Sequence, residues 1–206
     1  MGLPVPPLLV ISDRRQARLP LEEIAEEAFG AGCRWFSLRE KDLAAAERRD
    51  LLGRLLSLGH RFEAAVMVHE DVEAAAAEGA DGIHLPSQGN IAAARSRLPE
   101  ALIGASAHSA EEAAALLQAG ADYVTASPVF VSVSKPGYGP ALGLDGLARI
   151  VAAAGGPVIA LGGINDGNAA ACLTAGASGI AVMGEVMRSP EPRISVQQLL
   201  RIIAAA

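Results

Sequence analysis

The sequence predicts a compact (β/α)₈ TIM barrel that forms one domain over residues 1–206. Short apolar runs alternate along the chain with longer Ala-rich segments that are apolar at every third or fourth position. The short runs are continuously apolar, which is typical of parallel strands whose two faces are both covered. Strands and helices that alternate in this way favour a parallel sheet closed by helices.

A repeated tripeptide supports eight βα units. Each copy ends a predicted helix and starts a predicted strand, and its Gly suits the left-handed conformation that follows a helix. The spacing of about 40–55 residues corresponds to two βα units. A doubly wound open sheet is the alternative, but no G-x-G-x-x-G follows the first strand. The copies are Gly30-Ala31-Gly32, Gly79-Ala80-Asp81, Gly120-Ala121-Asp122 and Gly176-Ala177-Ser178.

The individual elements follow from local patterns. A strand is predicted wherever four to six apolar residues are bounded by Gly, Pro, Asp or Ser, and a helix wherever the apolar period is three to four. The predicted strands are Leu8–Ser12, Arg34–Leu38, Ala64–Val68, Gly82–Leu85, Leu102–Ala107, Tyr123–Ala126, Pro157–Leu161 and Gly179–Met183. The clearest helical patterns are Leu21–Phe29, Leu43–Leu58, Ala110–Ala119 and Asn168–Ala175.

Composition excludes several classes of function. The net charge is −6 and there is no basic run, which argues against binding to nucleic acid or to an anionic membrane surface. Every apolar stretch is interrupted before it reaches the length of a membrane span. Met1–Asp13 lacks the features of a signal peptide, and Cys33 and Cys172 are predicted to be buried free thiols. We therefore expect a cytoplasmic protein.

The chain contains only two lysines, Lys41 and Lys135, among 17 Lys and Arg residues. Both lie in loops that follow predicted strands. Lys is a compact point charge, unlike the planar Arg fork, so this usage suggests two positions that face phosphate oxygens. Chance in an Arg-rich composition is the alternative.

The ends of strands seven and eight predict an anion site. Gly162 and Gly163 follow strand seven, and Met183 and Gly184 follow strand eight. These two loops commonly form a phosphate site in TIM barrels, together with a short extra helix. Backbone N–H groups bind the anion, and glycine allows it to approach closely. Alternatively, the glycines only turn the chain.

Polar residues end other strands. Alternation places Ser37, Arg39 and Lys41 on one side of strand two, where two cations suit a diphosphate or a carboxylate; a surface salt-bridge cluster with Glu40 and Asp42 is the alternative. His69 and Glu70 form an acid–base pair after strand three and are candidates for proton transfer. Asp71 is predicted to cap the helix that follows strand three, and Ser109 is predicted to form a capping box with Glu112. His84 is predicted to have a structural role, and the side chain of Ser106 is predicted to point into the barrel. Anion contacts are predicted from Ser132, Ser134 and Lys135.

These segments together resemble the thiamin-phosphate synthase/TenI family. The motifs that match cover nearly the whole chain in order: Leu38-Arg39-Glu40-Lys41, Gly79-Ala80-Asp81-Gly82-Ile83-His84, Ser106-Ala107-His108-Ser109, Ala121-Asp122-Tyr123, Pro128-Val129-Phe130, Ser132-Val133-Ser134-Lys135, Leu161-Gly162-Gly163-Ile164 and Gly179-Ile180-Ala181-Val182. The resemblance implies a (β/α)₈ barrel. It also implies an enzyme that joins hydroxymethylpyrimidine diphosphate to a thiazole phosphate, with Mg²⁺ assisting departure of diphosphate.

The resemblance also implies roles for particular residues. Arg39, Lys41 and Lys135 would contact the diphosphate. Ser132, Ser134, Gly163 and the backbone near Met183-Gly184 would hold the thiazole phosphate.

The sequence departs from the synthase pattern at three positions. Ser37 replaces a Gln that reads the pyrimidine, His69-Glu70 replaces Asn-Asp, and Gly89 replaces a second Asp that binds Mg²⁺. Glu70 is then the one candidate metal ligand left, and loss of a carboxylate weakens Mg²⁺ binding.

The Leu85-Pro86-Ser87 stretch resembles the TenI branch, whose members tautomerise a thiazole phosphate. The TenI His after strand six aligns with Pro128, so His69 is the nearest substitute. We therefore expect a TenI-like protein that binds thiazole phosphate and tautomerises it, with no required cofactor. The alternatives are a Mg²⁺-dependent synthase and a non-catalytic phosphate binder. We expect a homodimer whose partner is the small-molecule phosphate.

Overall fold

Eight parallel strands close into a single barrel. The computed structural model describes residues 2–131 and 140–206. Each strand pairs with the next in sequence order, and β8 pairs with β1, so that no strand is left at an edge. The predicted TIM barrel is confirmed, and the open doubly wound sheet is excluded.

The strand boundaries agree with the sequence-based predictions to within one residue at either end. The strands are β1 (Leu8–Ile11), β2 (Trp35–Leu38), β3 (Ala65–His69), β4 (Gly82–Leu85), β5 (Leu102–Ala107), β6 (Tyr123–Ala126), β7 (Val158–Leu161) and β8 (Gly179–Val182). The helices are α1 (Leu21–Gly30), α2 (Ala45–Arg61), α3 (Val72–Glu78), α4 (Ile91–Arg97), α5 (Ala110–Gln118), α6 (Gly143–Ala154), α7 (Ala169–Thr174), α8 (Gly184–Met187) and α9 (Pro192–Ala205).

Alternation along the strands divides the core into two layers. Every second strand residue points into the barrel, where Leu9, Trp35, Met67 and Tyr123 belong to a buried inner cluster. The rings of Trp35 and Tyr123 pack edge to face with centroids 4.8 Å apart. The intervening residues point outward and pack against the helices in a larger cluster. Continuous apolar runs are therefore required on these strands, as the sequence analysis assumed.

Polar side chains cap the N-termini of several helices. Asp71 accepts a hydrogen bond from Ala74 N at 2.9 Å and caps α3, and Ser109 Oγ accepts one from Glu112 N at 3.2 Å and caps α5. The reciprocal bond of the predicted capping box is shifted by one residue, because Glu112 accepts from His108 N at 2.7 Å.

The repeated glycines end helices as predicted. Gly79 has φ +67° at the end of α3, in the left-handed region that glycine tolerates. In the first copy this role belongs to Gly32, with φ +108°, while Gly30 is still helical. Cys33 and Cys172 are buried free thiols. No helix among the described residues is long and apolar enough to span a membrane.

Candidate functional site

Parallel strands in a barrel all end on one rim, and this rim collects the predicted residues. Arg39 follows β2, His69 ends β3 and Ser106 lies near the end of β5. Gly162 and Met183 directly follow β7 and β8. Residues distant in the chain are therefore brought to the face at which TIM barrels have their active sites.

A buried carboxylate fixes the β2 corner of this rim. Glu40 is 3 % exposed, and its Oε1 accepts a hydrogen bond from Ser12 Oγ at 2.6 Å and from Arg14 N at 3.1 Å. Burial raises the pKa of Glu40, while these hydrogen bonds oppose the shift. Ser12 Oγ also accepts from Arg39 N at 2.8 Å. These hydrogen bonds, here named the Ser12–Glu40 clasp, join the ends of β1 and β2 and position the Arg39 backbone.

Arg39 is a half-buried cation at the rim. Its charge is close enough to His84 to help lower the pKa of that imidazole, after the larger effect of burial. Within residues 2–131 and 140–206, no carboxylate lies within ion-pairing distance of the Arg39 guanidinium. Its charge is therefore available to an anionic ligand at the barrel mouth.

Lys41 lies against Glu70 of the next loop. The Lys41 Nζ to Glu70 Oε1 distance is 2.5 Å, and the two side chains are 53 % and 42 % exposed. The alternative cluster with Glu40 and Asp42 is not formed by Lys41, because Asp42 pairs with Arg14 and Arg15. An exposed pair of this kind contributes at most about 1 kcal/mol, so a multiply charged anion can displace Glu70 from Lys41.

The acidic residues near β3 do not form a prepared Mg²⁺ site. Glu70 is paired with Lys41, while Asp71 caps α3 and lies 2.5 Å from Arg48 Nη2. At Gly89 an added Cβ would lie 2.6 Å from Leu85 Cβ, so this backbone does not accept the missing side chain. In the described part of the chain, no group of three His, Cys, Asp or Glu residues could hold a metal ion. The residues present therefore do not fit a preformed metal centre.

Two histidine rings lie in contact near the rim, tilted by 38° relative to each other. The rings of His69 and His84 lie 4.7 Å apart, centroid to centroid. His84 Nδ1 is 3.1 Å from Tyr123 Oη, and its Nε2 is 3.1 Å from Ser106 Oγ. Burial, reinforced by Arg39, lowers the His84 pKa to about 3, so this imidazole is neutral at physiological pH. His84 is held by the barrel, and Ser106 points inward to it.

Ser37 is the β2 residue that was predicted to share one side of the strand with Arg39 and Lys41. Its side chain is fully buried at the end of β2, opposite Ile11 and Met67. Its hydroxyl has no hydrogen-bond partner among the residues that the structure describes. An unsatisfied buried hydroxyl is unfavourable, which makes Ser37 a candidate for contact with a bound ligand.

The loops after β7 and β8 enclose an open cleft of about 180 Å³, here named the β7–β8 cleft. Gly162 and Gly163 have φ +99° and +67°, and their neighbours Pro128, Phe130 and Val131 lie where side chains would extend. The glycines therefore serve both to turn the chain and to let the segment after β6 pack closely against it. The cleft is lined by Val131, Leu161, Gly162, Gly163, Ile164, Asn165, Ala181, Val182, Met183, Gly184, Glu185 and Arg188.

The predicted short helix begins at this cleft. α8 starts at Gly184, directly after Met183, and the first N–H groups of a helix have no acceptor within it. Glu185 and Arg188 also line the cleft, and neither was singled out from the sequence. The predicted contacts Ser132, Ser134 and Lys135 lie outside the described residues.

Comparison with known proteins decides the family. Residues 8–186 match the family model described as thiamine monophosphate synthase. The chain belongs to the thiamine monophosphate synthase family. The suggested family relationship is thereby confirmed over most of the chain.

Relatives and a solved structure agree with this assignment. A putative thiamine-phosphate synthase from Geobacter sulfurreducens is 40 % identical over 199 residues, covering 95 % of this chain and 93 % of the relative. A thiamine-phosphate synthase from Roseiflexus is 37 % identical over 201 residues, covering 96 % and 85 %. The structure of thiamine phosphate pyrophosphorylase from Pyrococcus furiosus superposes with a TM-score of 0.88 at 35 % identity, covering 96 % and 95 %.

The family supports an enzyme of thiamin biosynthesis. The names of these relatives favour the synthase over the TenI tautomerase, which the Leu85-Pro86-Ser87 stretch had favoured. That short stretch carries less weight than similarity over the whole chain.

Proposed function

We propose that this protein is a thiamin-phosphate synthase. It would join hydroxymethylpyrimidine diphosphate to a thiazole phosphate and release diphosphate. The observation that carries the proposal is full-length similarity to relatives named as synthases. A rim with a cation after β2 and a glycine-lined cleft after β7 and β8 agrees with two anionic substrates.

The β7–β8 cleft would take the thiazole phosphate. Gly162 and Gly163 present backbone without side chains, and α8 starts at Gly184, which also lines the cleft. The partly buried Met183 side chain packs against both the inner and the outer cluster of the core. Binding at this end would leave the thiazole ring over the barrel mouth.

Arg39 and Lys41 would stabilise the departing diphosphate. When the bond to the pyrimidine methylene breaks, negative charge builds up on the leaving oxygen, and cations fixed nearby favour that state. Arg39 is held in place by the clasp of Ser12 and Glu40. Lys41 would exchange Glu70 for the diphosphate, because a doubly or triply charged group attracts it more strongly than one carboxylate.

A metal requirement is a separate question for experiment. The resemblance implies Mg²⁺, but Glu70 and Asp71 are engaged in ion pairs and Gly89 offers no ligand. We propose that dependence on added Mg²⁺ is weak, and activity measured with Mg²⁺ and with excess chelator tests this directly.

The synthase proposal is tested by incubating the purified protein with both substrates and measuring thiamin phosphate. Arg39→Gln should lower kcat by about 100-fold, as expected when a charge that stabilises the transition state is removed. Arg54→Gln is a matched control, because Arg54 lies on the outer face of α2 and pairs with Glu22. Absence of product from the wild-type protein, with and without Mg²⁺, would refute the proposal.

A thiazole phosphate tautomerase is the second candidate. It is supported by His69, an imidazole at the rim whose ring contacts that of the neutral His84. His69 and Glu70 would then transfer the proton, although Glu70 is engaged by Lys41. Tautomerisation followed by ultraviolet absorbance should fall sharply in His69→Ala if this activity exists. Unchanged tautomerisation in that variant would exclude His69 as the proton carrier.

A further inference from the structure

Charged residues are distributed unevenly over the helices that surround the barrel. The helix α1 contains four of them and α2 contains six, whereas α6 contains two and α7 contains none. Charge on a protein surface keeps the protein soluble and monomeric, and the centre of a protein–protein interface is depleted in charge. The outer side of α6 and α7 therefore has the composition of an interface rather than that of a solvated surface.

The exposed side of α6 is apolar except for one acidic and one basic residue. The buried residues Leu147, Ile150 and Ala154 pack against the barrel. Residues four apart lie on one side of a helix, so the exposed residues form two adjacent rows on the opposite side. Leu144 is 37 % exposed and begins the first row. The exposed residues are Leu144, Asp145, Ala148, Arg149, Ala152 and Ala153.

The two charges on α6 differ from those on the other outer helices in having no partner. On α2, for example, Arg54 pairs with Glu22 of the neighbouring α1 at 2.9 Å. Within residues 2–131 and 140–206, neither Asp145 nor Arg149 lies in an ion pair. The neighbouring helix α7 cannot supply one, because Ala169–Thr174 contains no charged residue. Asp145 and Arg149 are therefore available to charges on another molecule.

A second copy of α6 has the complementary pattern. In a two-fold symmetric interface the same surface of both copies meets, so that residue i contacts residue j and j contacts i. If two α6 helices pack antiparallel, with the axis at the level of Leu147, Asp145 of each copy faces Arg149 of the other. The small side chain of Ala148 lies near the axis and lets the two helices approach closely. The arrangement thus satisfies both charges twice and covers the apolar row.

We propose that the outer side of α6 and the adjoining side of α7 form the interface of a homodimer, in which two α6 helices pack antiparallel and exchange Asp145–Arg149 ion pairs. A stable interface covers about 800 Å² on each partner, which is more than one helix of 12 residues offers. The exposed Ala170 and Thr174 of α7 extend the uncharged surface beside α6. The ion pairs fix the orientation and the register of the two copies.

Charge reversal in the purified chain, followed by sedimentation equilibrium, tests this interface. The wild-type chain should sediment as a dimer. Asp145→Arg places two arginines opposite each other, and Arg149→Asp places two carboxylates opposite each other. Each variant should dimerise about 100-fold more weakly or worse, because like charges then meet twice across the axis. Asp50→Arg, at an exposed position of α2, is the matched control and should dimerise as the wild type does.

Mixing the two single variants tests the antiparallel arrangement itself. Asp145→Arg carries two arginines on this side of α6, and Arg149→Asp carries two aspartates. Their heterodimer restores an attractive pair at both contacts, so the mixture should form dimers with an affinity within about tenfold of the wild type. A merely structural effect of either substitution would not be reversed by mixing. Thermal unfolding of each variant alone shows whether it is folded.

The other outcomes overturn the proposal. A wild-type chain that sediments as a monomer at every concentration would show that no second copy covers this surface. A wild-type dimer that neither reversal weakens would place the interface elsewhere on the molecule. Two monomeric variants that stay monomeric when mixed would refute the antiparallel pairing. None of these results depends on turnover, so the inference stands or falls separately from the proposed synthase activity.

Discussion

Replacing His84 should remove the part of the pH dependence of stability that comes from protonation of its imidazole. His84 is 2 % exposed and lies between Tyr123 and Ser106 inside the barrel. Burial lowers its pKa from 6.5 to about 3, with a smaller contribution from Arg39. Between these values the unfolded chain binds a proton that the folded chain does not. The free energy of unfolding must therefore fall as the pH falls through this window.

The magnitude follows from the size of the shift. At 1.36 kcal/mol per unit of pH, His84 alone should reduce the free energy of unfolding by about 2 kcal/mol between pH 7 and pH 5. His84→Gln should be less stable at pH 7, because it disturbs the hydrogen bonds with Tyr123 and Ser106. Its disadvantage relative to the wild type should shrink by about 2 kcal/mol at pH 5.

Urea unfolding at the two pH values measures this difference, and carboxylates common to both proteins cancel in it. Ser57→Ala, at an exposed position of α2, is the control; since it removes no titratable group, it should follow the wild-type pH dependence. If the gap between wild type and His84→Gln is the same at both pH values to within about 0.5 kcal/mol, the buried neutral imidazole is refuted.

Two further predictions concern glycines. Gly59→Ala should destabilise the protein by about 1–3 kcal/mol, because the new Cβ would lie 2.6 Å from Val66 Cγ2. Gly53→Ala lies in the same helix, and its Cβ would make only an ordinary van der Waals contact with Glu78 Oε2 at 3.5 Å. This variant should stabilise the protein by about 0.5–1 kcal/mol, because alanine favours the helix over glycine. Both effects are measured by thermal unfolding, and equal shifts in the two variants would contradict the packing argument. Gly104→Ala should destabilise the protein more than Gly59→Ala does, because the new Cβ would overlap the Tyr123 ring inside the barrel. Thermal unfolding followed by circular dichroism would disprove this prediction if it ranked the two variants in the opposite order.

Contacts between sequential neighbours were predictable, and contacts between distant loops were not. The caps at Asp71 and Ser109 follow from residues three positions apart, and both form. The contact of Glu40 with Ser12 joins residues 28 apart, and that of Arg188 with Gln16 joins residues 172 apart. No local pattern indicates which of many charged residues meet across such distances. Glu40 therefore entered only as part of an alternative surface cluster, and Arg188 was overlooked.

The sequence by itself determined the order, type and limits of the strands, because both faces of each strand are buried and only apolar runs satisfy that condition. It also indicated glycine-rich loops after β7 and β8, since backbone that must approach a ligand or turn sharply excludes side chains. Only the tertiary structure decided which charges are engaged. Closure of the barrel pairs Lys41 with Glu70, leaves Arg39 without a described carboxylate partner and places Arg188 beside the β7–β8 cleft. The reason is that the strength of an ion pair depends on the distance between the two charges and on their burial, and both quantities exist only once the strands have closed.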